Sequence, residues 1–303
     1  MKSHDFGQFL FNSSVLTETQ LAELLRTPKK YPMNLTTNAL FLRLVSLREI
    51  FDACKSSGVT EEEETPGEKF INFLRSQEPE TAKKRDDLAR NFLTPKQLKK
   101  VEEFSGESSV SLAQIILDEG IFSFERFEKI LDEYHRREIP PVEEAFSKYY
   151  DRMKDTGQPD FPLALAAAEN FFDFLSETYK TTVVFVPEPD ADENLKFGAS
   201  VKVAGSMPVV VGMYAEKKIF QRLAFLYNDF VGDDIDDSYD AISELLNVFT
   251  GHFAVRVATN TGREEEPEPP RFGTLEGKIG GIKTLTGAGN FFITIGRNEI
   301  FPG

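Results

Sequence analysis

Apolar residues in the first half of the chain recur at steps of three and four. Leu40, Leu42, Leu44, Leu47, Ile50 and Phe51 are one run of this kind, the spacing that lines one side of a helix. Alternating patterns are scarce there, so residues 1–157 read as all-helical. Leu112, Ile115 and Ile116 belong to a helix that Gly120 closes, and Ser123 starts the next, with Phe127, Ile130 and Leu131 on its inner side. The Ser123 hydroxyl can accept from backbone N–H groups that lack partners at a helix start.

The second half changes texture. Leu163, Ala167, Phe171, Phe174, Leu175 and Tyr179 share one side of a helix over 162–180. Val183-Val184-Phe185-Val186 is a short strand stopped by Pro187. Phe197–Val203 and Met207–Tyr214 read as a hairpin turning at Ala204-Gly205-Ser206. A helix over 216–230 follows, then an acidic loop from Gly232 to Asp237, then a helix from about Ser238 to Ala258. Two terminal strands, Phe272–Ile282 and Phe291–Ile295, end the pattern. The fold class is therefore α+β, with a mostly antiparallel sheet packed against two long helices. The division into two domains, 1–157 and 158–303, is placed by the Pro140-Pro141 and Thr156-Gly157-Gln158-Pro159 punctuation.

The helical half carries a weak internal repeat. Residues 8–17 align without gaps to 114–123, and the match continues through Leu21/Phe127, Leu24/Ile130 and Leu25/Leu131. Phe92–Leu98 partly matches Val15–Leu21, with Pro95 one residue after a Thr cap. Each unit reads as helix, tight turn, capped helix. These units resemble the degenerate helical repeats at the N-termini of type II secretion ATPases, some of which bind cyclic di-GMP. The fuller motif of those repeats begins Arg-Leu-Gly, and only Phe6-Gly7 stands here. A helical interaction or spacer module is the plainer reading.

Composition narrows the classes. The chain has 303 residues, 40% hydrophobic and 28% charged, which excludes a mainly disordered protein. Its apolar runs, such as Leu163–Ala168, are too short to span a bilayer, and the N-terminus shows no secretory h-region, so a cytoplasmic location is expected. Cys54 stands alone, which excludes an internal disulfide and a thiolate zinc cluster. The net charge of −15 divides into −5 over residues 1–157 and −10 over 158–303, so nucleic acid is not an expected partner. The Gly232–Asp237 run lacks the alternation and turn glycine of a calcium loop, and it reads as a solvated segment at a helix N-terminus. Glu61–Glu64 and Glu264–Glu268 also read as solvated loops.

The informative constellation lies on the helix near residue 245. Asp240, Glu244, Asn247 and Gly251 stand at i, i+4, i+7 and i+11, one face of an α-helix. The opposite side is the apolar stripe of Ile242, Leu245, Leu246, Phe249 and Phe253. By itself a polar face opposite an apolar stripe is what any surface helix shows. Gly251 would let a partner approach closely.

This region resembles the CheC/CheX/FliY family of chemotaxis phosphatases. The family motif is Asp or Ser, three residues, Glu, two residues, Asn, then Pro 23 positions later; Asp240, Glu244, Asn247 and Pro270 fall on that spacing. The resemblance covers residues 158–303, and one motif copy is evident, because Glu216 is followed by Lys217-Lys218-Ile219 with no Asn pair. That favours the CheX type, whose members often dimerise. The resemblance implies hydrolysis of the aspartyl phosphate of a CheY-like response regulator. Asn247 would position the attacking water and Glu244 would pair with a lysine of the regulator. Asp240 would sit at the edge of the docking face, and Pro270 would shape a loop. No cofactor of its own is implied, since the Mg2+ ion sits on the regulator.

His252 lies five residues past Asn247, about 140° around the helix, which assigns it to packing or surface rather than catalysis. Gly280-Gly281 and Gly287-Ala288-Gly289 match no nucleotide fingerprint and read as turns. The competing function is a non-catalytic adaptor that binds a phosphorylated regulator, with the helical half recruiting a second partner. A third is a cyclic di-GMP sensor in the helical half.

Overall fold

The structure is a computed structural model that describes residues 5–26, 34–59, 68–76, 78–107, 112–152, 159–187, 197–205, 208–229, 234–262, 266–275 and 281–297. Helices come first: α1 (Asp5–Asn12), α2 (Glu18–Arg26), α3 (Leu35–Phe41), α4 (Leu47–Ser56) and α5 (Glu68–Arg75). Then follow α6 (Pro79–Phe92), α7 (Pro95–Glu107), α8 (Leu112–Asp118), α9 (Phe124–His135), α10 (Pro141–Arg152) and α11 (Phe161–Tyr179). The remainder is β1 (Val184–Val186), β2 (Phe197–Ala204), β3 (Val209–Ala215), α12 (Lys217–Asn228) and α13 (Ile235–Thr261). Four strands close the chain: β4 (Glu266–Pro267), β5 (Arg271–Thr274), β6 (Ile282–Thr286) and β7 (Gly289–Gly296).

Contacts divide the chain into two compact units: residues 28–138, and residues 1–27 joined to 139–303. The cut expected near residue 157 lies outside the described residues. The helices on either side of it, α10 and α11, fall in the same unit and pack together.

The repeat is present as local geometry. After α1, the N–H groups of Ser13, Ser14 and Val15 donate to the carbonyls of Phe9, Phe11 and Leu10. After α8, Glu119, Gly120 and Ile121 donate to Ile115, Leu117 and Ile116 in the same order. Leu42, Arg43 and Leu44 do so after α3, donating to Asn38, Leu40 and Ala39. The apolar run from Leu40 to Phe51 therefore spans two helices, and it hides a full copy of the unit. Ser14, Arg43 and Gly120 take the left-handed conformation these turns need, at φ 55°, 55° and 64°. Only glycine adopts it without steric cost, so Arg43 gives no turn signal. The following helices begin at caps, where Thr17, Ser46 and Ser123 accept from the N–H of Gln20, Glu49 and Arg126. The partial copy at Phe92–Leu98 keeps the cap, with Thr94 accepting from Gln97 N–H, but its Leu93 is extended and the turn is absent.

In the larger unit a seven-stranded sheet runs in the order β1-β6-β7-β3-β2-β4, with β5 also on β2, and every pairing is antiparallel. The first expected terminal strand is thus two strands on different partners: β5 pairs β2, and β6 pairs β1 and β7. Part of the run expected as an acidic loop is also strand, since Glu266-Pro267 pairs with β2, while Glu264 and Glu265 lie outside the described residues. Ala199, Val201 and Val203 of β2, with Val209, Val211 and Met213 of β3, point into one core against α11, α12 and α13. Two of those helices are long, at 19 and 27 residues.

Strand β1 is a sheet edge, and one side chain completes it. Gln8 of α1 is fully buried; its Nε2 donates to the Phe185 carbonyl at 2.9 Å, and its Oε1 accepts from the Phe185 N–H at 2.7 Å. The carboxamide stands in for a neighbouring strand, satisfying both backbone groups that β6 cannot reach. Its Nε2 also donates to Asn12 at 3.0 Å; in the equivalent position of the repeat, Gln114 donates to Asp118 at 2.7 Å. Gln8→Leu keeps the volume and removes both bonds. It is expected to destabilise the fold by about 2–4 kcal/mol, because a buried N–H and C=O lose their partners. Chemical denaturation of both proteins checks this, and an unchanged midpoint would contradict the edge assignment.

Candidate functional site

Helix α13 is longer than its expected Ser238–Ala258 span at both ends. Asp234 caps it, its carboxylate accepting from the Asp236 N–H at 3.4 Å. Asp236 and Asp237 occupy the first turn, where the helix dipole favours negative charge. Part of the run expected as an acidic loop is therefore helix, while Gly232 and Asp233 lie outside the described residues. At the other end Gly262 takes the left-handed φ of +69° and stops the helix.

The helix is wedged between α12 and strands β2, β4 and β5. Ile242, Leu245, Leu246, Phe249, Phe253 and Val257 enter the core. Ala241, Ser243, Thr250 and Ala254 are buried at its flanks; the Thr250 hydroxyl is satisfied by donating back to the Leu246 carbonyl at 2.8 Å. The outward side carries the motif strip, with Val248, His252, Val255 and Arg256 also exposed on the same helix. Asp240, Glu244 and Asn247 are exposed, and Gly251 is half-exposed in the same line. At about 100° per residue the four positions lie within an arc of about 60°. The predicted constellation is thus brought together on one face. A Cβ built on Gly251 would meet nothing within 4 Å, so no internal contact requires glycine there.

Two features border this strip that the sequence pattern did not single out. On the α12 side stands Tyr227, half-buried; burial, with the neighbouring Glu244 carboxylate adding to it, pushes its phenol above the usual range. Phe225 and Leu226 beside it are exposed. On the other side Phe272 of β5 stacks on Tyr239, the residue before Asp240, with ring centroids 5.0 Å apart and an interplanar angle of 23°. Pro270 is half-buried and directly precedes β5. The connection that holds it is tied to β2: Glu268 N–H donates to the Lys202 carbonyl at 2.7 Å, and the Glu268 carboxylate pairs with the Lys202 ammonium at 2.8 Å. Pro270 stands in this connection between the Glu268 tie and the first residue of β5.

His252 points elsewhere. It is exposed and borders a cavity of about 260 Å³ between α11 and α13, with Asp173, Glu177 and Arg256. Gly280 lies outside the described residues. Gly281 answers to packing, since a Cβ there would lie 2.3 Å from the Tyr214 hydroxyl oxygen and 2.8 Å from the Ile293 carbonyl. Gly287 lies in the β6–β7 hairpin turn, and Gly289 opens β7 opposite Thr286. Among the described residues no group of three or more His, Cys, Asp or Glu is arranged to hold a metal ion, and no helix is long and apolar enough to cross a membrane.

No family model matches the chain, and no curated protein matches it. Solved structures of chemotaxis proteins do. The chemotaxis protein CheX of Desulfovibrio desulfuricans is 16% identical over 45% of this chain and 98% of its own, with a TM-score of 0.37. A chemotaxis protein of Desulfovibrio vulgaris Hildenborough is 17% identical over 46% of this chain and 98% of its own, at a TM-score of 0.35. A CheX–CheY–BeF3–Mg complex from Borrelia burgdorferi matches at 18% identity over 46% of this chain and 96% of that one, at a TM-score of 0.31. The likeness is one of fold.

Gly251 sits inside a helix, where glycine costs roughly 1 kcal/mol against alanine. With open space around the Cβ position, Gly251→Ala is expected to raise stability by about 0.5–1 kcal/mol. A denaturant midpoint that falls instead would mean that the backbone there has an unseen neighbour.

Proposed function

We propose that this chain hydrolyses the aspartyl phosphate of a CheY-like response regulator. The observation that carries the reading is the strip on α13. A carboxamide and two carboxylates stand exposed in one line, ending at a glycine that keeps the helix surface low, with buried Ser243, Thr250 and Ala254 along one flank and exposed Val248 and Val255 along the other. Such a strip can be laid against a second protein's active site without rearrangement of its own.

An aspartyl phosphate is a mixed anhydride whose leaving carboxylate has an ordinary pKa of about 4, so it is already activated. Hydrolysis needs a water in line with phosphorus. The Asn247 carboxamide oxygen would accept a hydrogen bond from that water and hold it there, and the amide N–H groups could donate to a phosphoryl oxygen. The water oxygen bonds to phosphorus as the bond to the aspartyl oxygen breaks, leaving inorganic phosphate and a free carboxylate. The metal that neutralises the phosphoryl charge belongs to the regulator.

Glu244 would pair with a regulator lysine. Such a pair is worth about 0.5 kcal/mol at a rim and a few kcal/mol when desolvated. Asp240, one turn earlier, would add charge at the edge of the contact. Gly251 would let the partner's backbone approach the last turn of the strip. A second copy of this chain is not required by this chemistry, because one strip holds all of the named groups.

The test is phosphate release from a panel of phosphorylated CheY-like regulators. Wild type should shorten the phosphate lifetime of at least one of them. Asn247→Ala should lose about 100-fold in rate or more while keeping its fold by circular dichroism. Glu244→Gln should raise KM by about fivefold to tenfold with a smaller effect on kcat. Retained turnover in the Asn247 variant would overturn the mechanism. Binding without any acceleration by wild type would make the protein an adaptor for the regulator.

A further inference from the structure

The motif strip has an aromatic border, and its placement is set by strand register. Phe272 pairs with Ala199 of β2, and Ala199 points into the helix-covered core. Side chains alternate across a strand, so Phe272 lies on that same sheet face. It sits where the helical cover ends, against the flank of α13, and remains 49% exposed. Pro270, two residues earlier, is in phase with it.

Phe272 is also held in place. Its ring stacks on Tyr239; Tyr239 meets Phe220 of α12 edge-on at 5.4 Å and lies tilted over Phe197 of β2 at 6.4 Å. The stack joins β5, α13, α12 and β2, and Phe272 is its outermost ring. Single exposed apolar residues are ordinary on protein surfaces. This one differs in being fixed by a stack on Tyr239, the residue that precedes the first motif position, Asp240. A rigid aromatic with one face free loses little conformational freedom when a partner covers it, which is the property of interface anchors.

We infer that Phe272 is an affinity determinant of the site: the receiver domain that presents its phosphoryl group to Asn247 packs an apolar surface against the free face of this ring. The inference rests on the phosphatase reading for the identity of the partner.

The test separates anchoring from folding and from chemistry. Binding is measured by titrating wild type, Phe272→Ala, Phe272→Tyr and Asn247→Ala with CheY-like receiver domains activated by beryllofluoride and Mg2+. Steady-state phosphate release and thermal denaturation are run on the same proteins. Phe272→Ala should weaken binding about tenfold and raise KM in parallel, with turnover at saturating regulator within about twofold of wild type. Phe272→Tyr should restore binding, and Asn247→Ala should bind while failing to turn over.

Unchanged affinity in Phe272→Ala would overturn this inference and leave the phosphatase reading standing. Wild-type binding without turnover would overturn the phosphatase reading, and the alanine affinity would still decide the role of Phe272. Absence of binding to every receiver domain by wild type would overturn both. A fall in turnover at saturation as large as the fall in affinity would assign Phe272 to holding α13 instead, and would overturn its role as an anchor.

Discussion

The site depends on how tightly α13 is enclosed. A helix of 27 residues, twelve of them buried, keeps an outer side in water. Here α12 takes one flank, strands β2, β4 and β5 take the other, and the core takes the inner side. Small residues at the margins, Ala241 and Ser243, let the neighbours close in beside the exposed line. The backbone of that line has little freedom to shift. Asp240, Glu244 and Asn247 can therefore be polar and exposed without helping to hold the helix, because their buried neighbours on the other sides already do so.

The same enclosure explains what the sequence reveals and what it conceals. The helices around 162–180 and 216–230, the 197–214 hairpin and the i, i+4, i+7, i+11 face were all legible, because each depends on local periodicity. The boundaries of α13 were not. Its first turn consists of Asp236 and Asp237 behind an Asp cap, residues that favour loops unless the dipole and the cap are counted together. Phe272–Ile282 reads as one strand, although it is two strands that join different neighbours, and pairing partners are a long-range property that no local window contains. Arg43 hid a copy of the repeat for a related reason. The left-handed turn is enforced there by the two helices around it, against the preference of the residue itself.

Tertiary burial also decides the roles of residues that composition leaves ambiguous. Gln8 could have been a surface glutamine on an amphipathic helix. It is instead the partner of Phe185 in both directions, closing an edge that would otherwise offer free backbone groups to another strand. Gly281 reads as half of a turn-forming glycine pair, yet the Tyr214 hydroxyl and the Ile293 carbonyl fill the space where its side chain would be. Gly251 shows the opposite. It has room for a side chain and none is present. Packing accounts for the first glycine and is silent on the second.

Places where a fold breaks its own local rules without an internal gain are where function is to be sought. Two such places border the strip. Gly251 weakens a helix that has space for alanine, and Phe272 leaves nearly half of an aromatic side chain in water although it is anchored on a buried stack. Neither is explained by stability of the isolated chain; Gly251 lies on the motif line, and Phe272 stacks on Tyr239 next to it, where the proposed partner would cover both. A surface that is flat at one end, aromatic at one side and acidic along its centre asks for a partner that brings an apolar contact and a cation to the same place. A receiver domain with a phosphoryl group beside a lysine has that chemistry. Under the proposed reading, the reaction would be completed in the partner's active site rather than in a pocket of this chain.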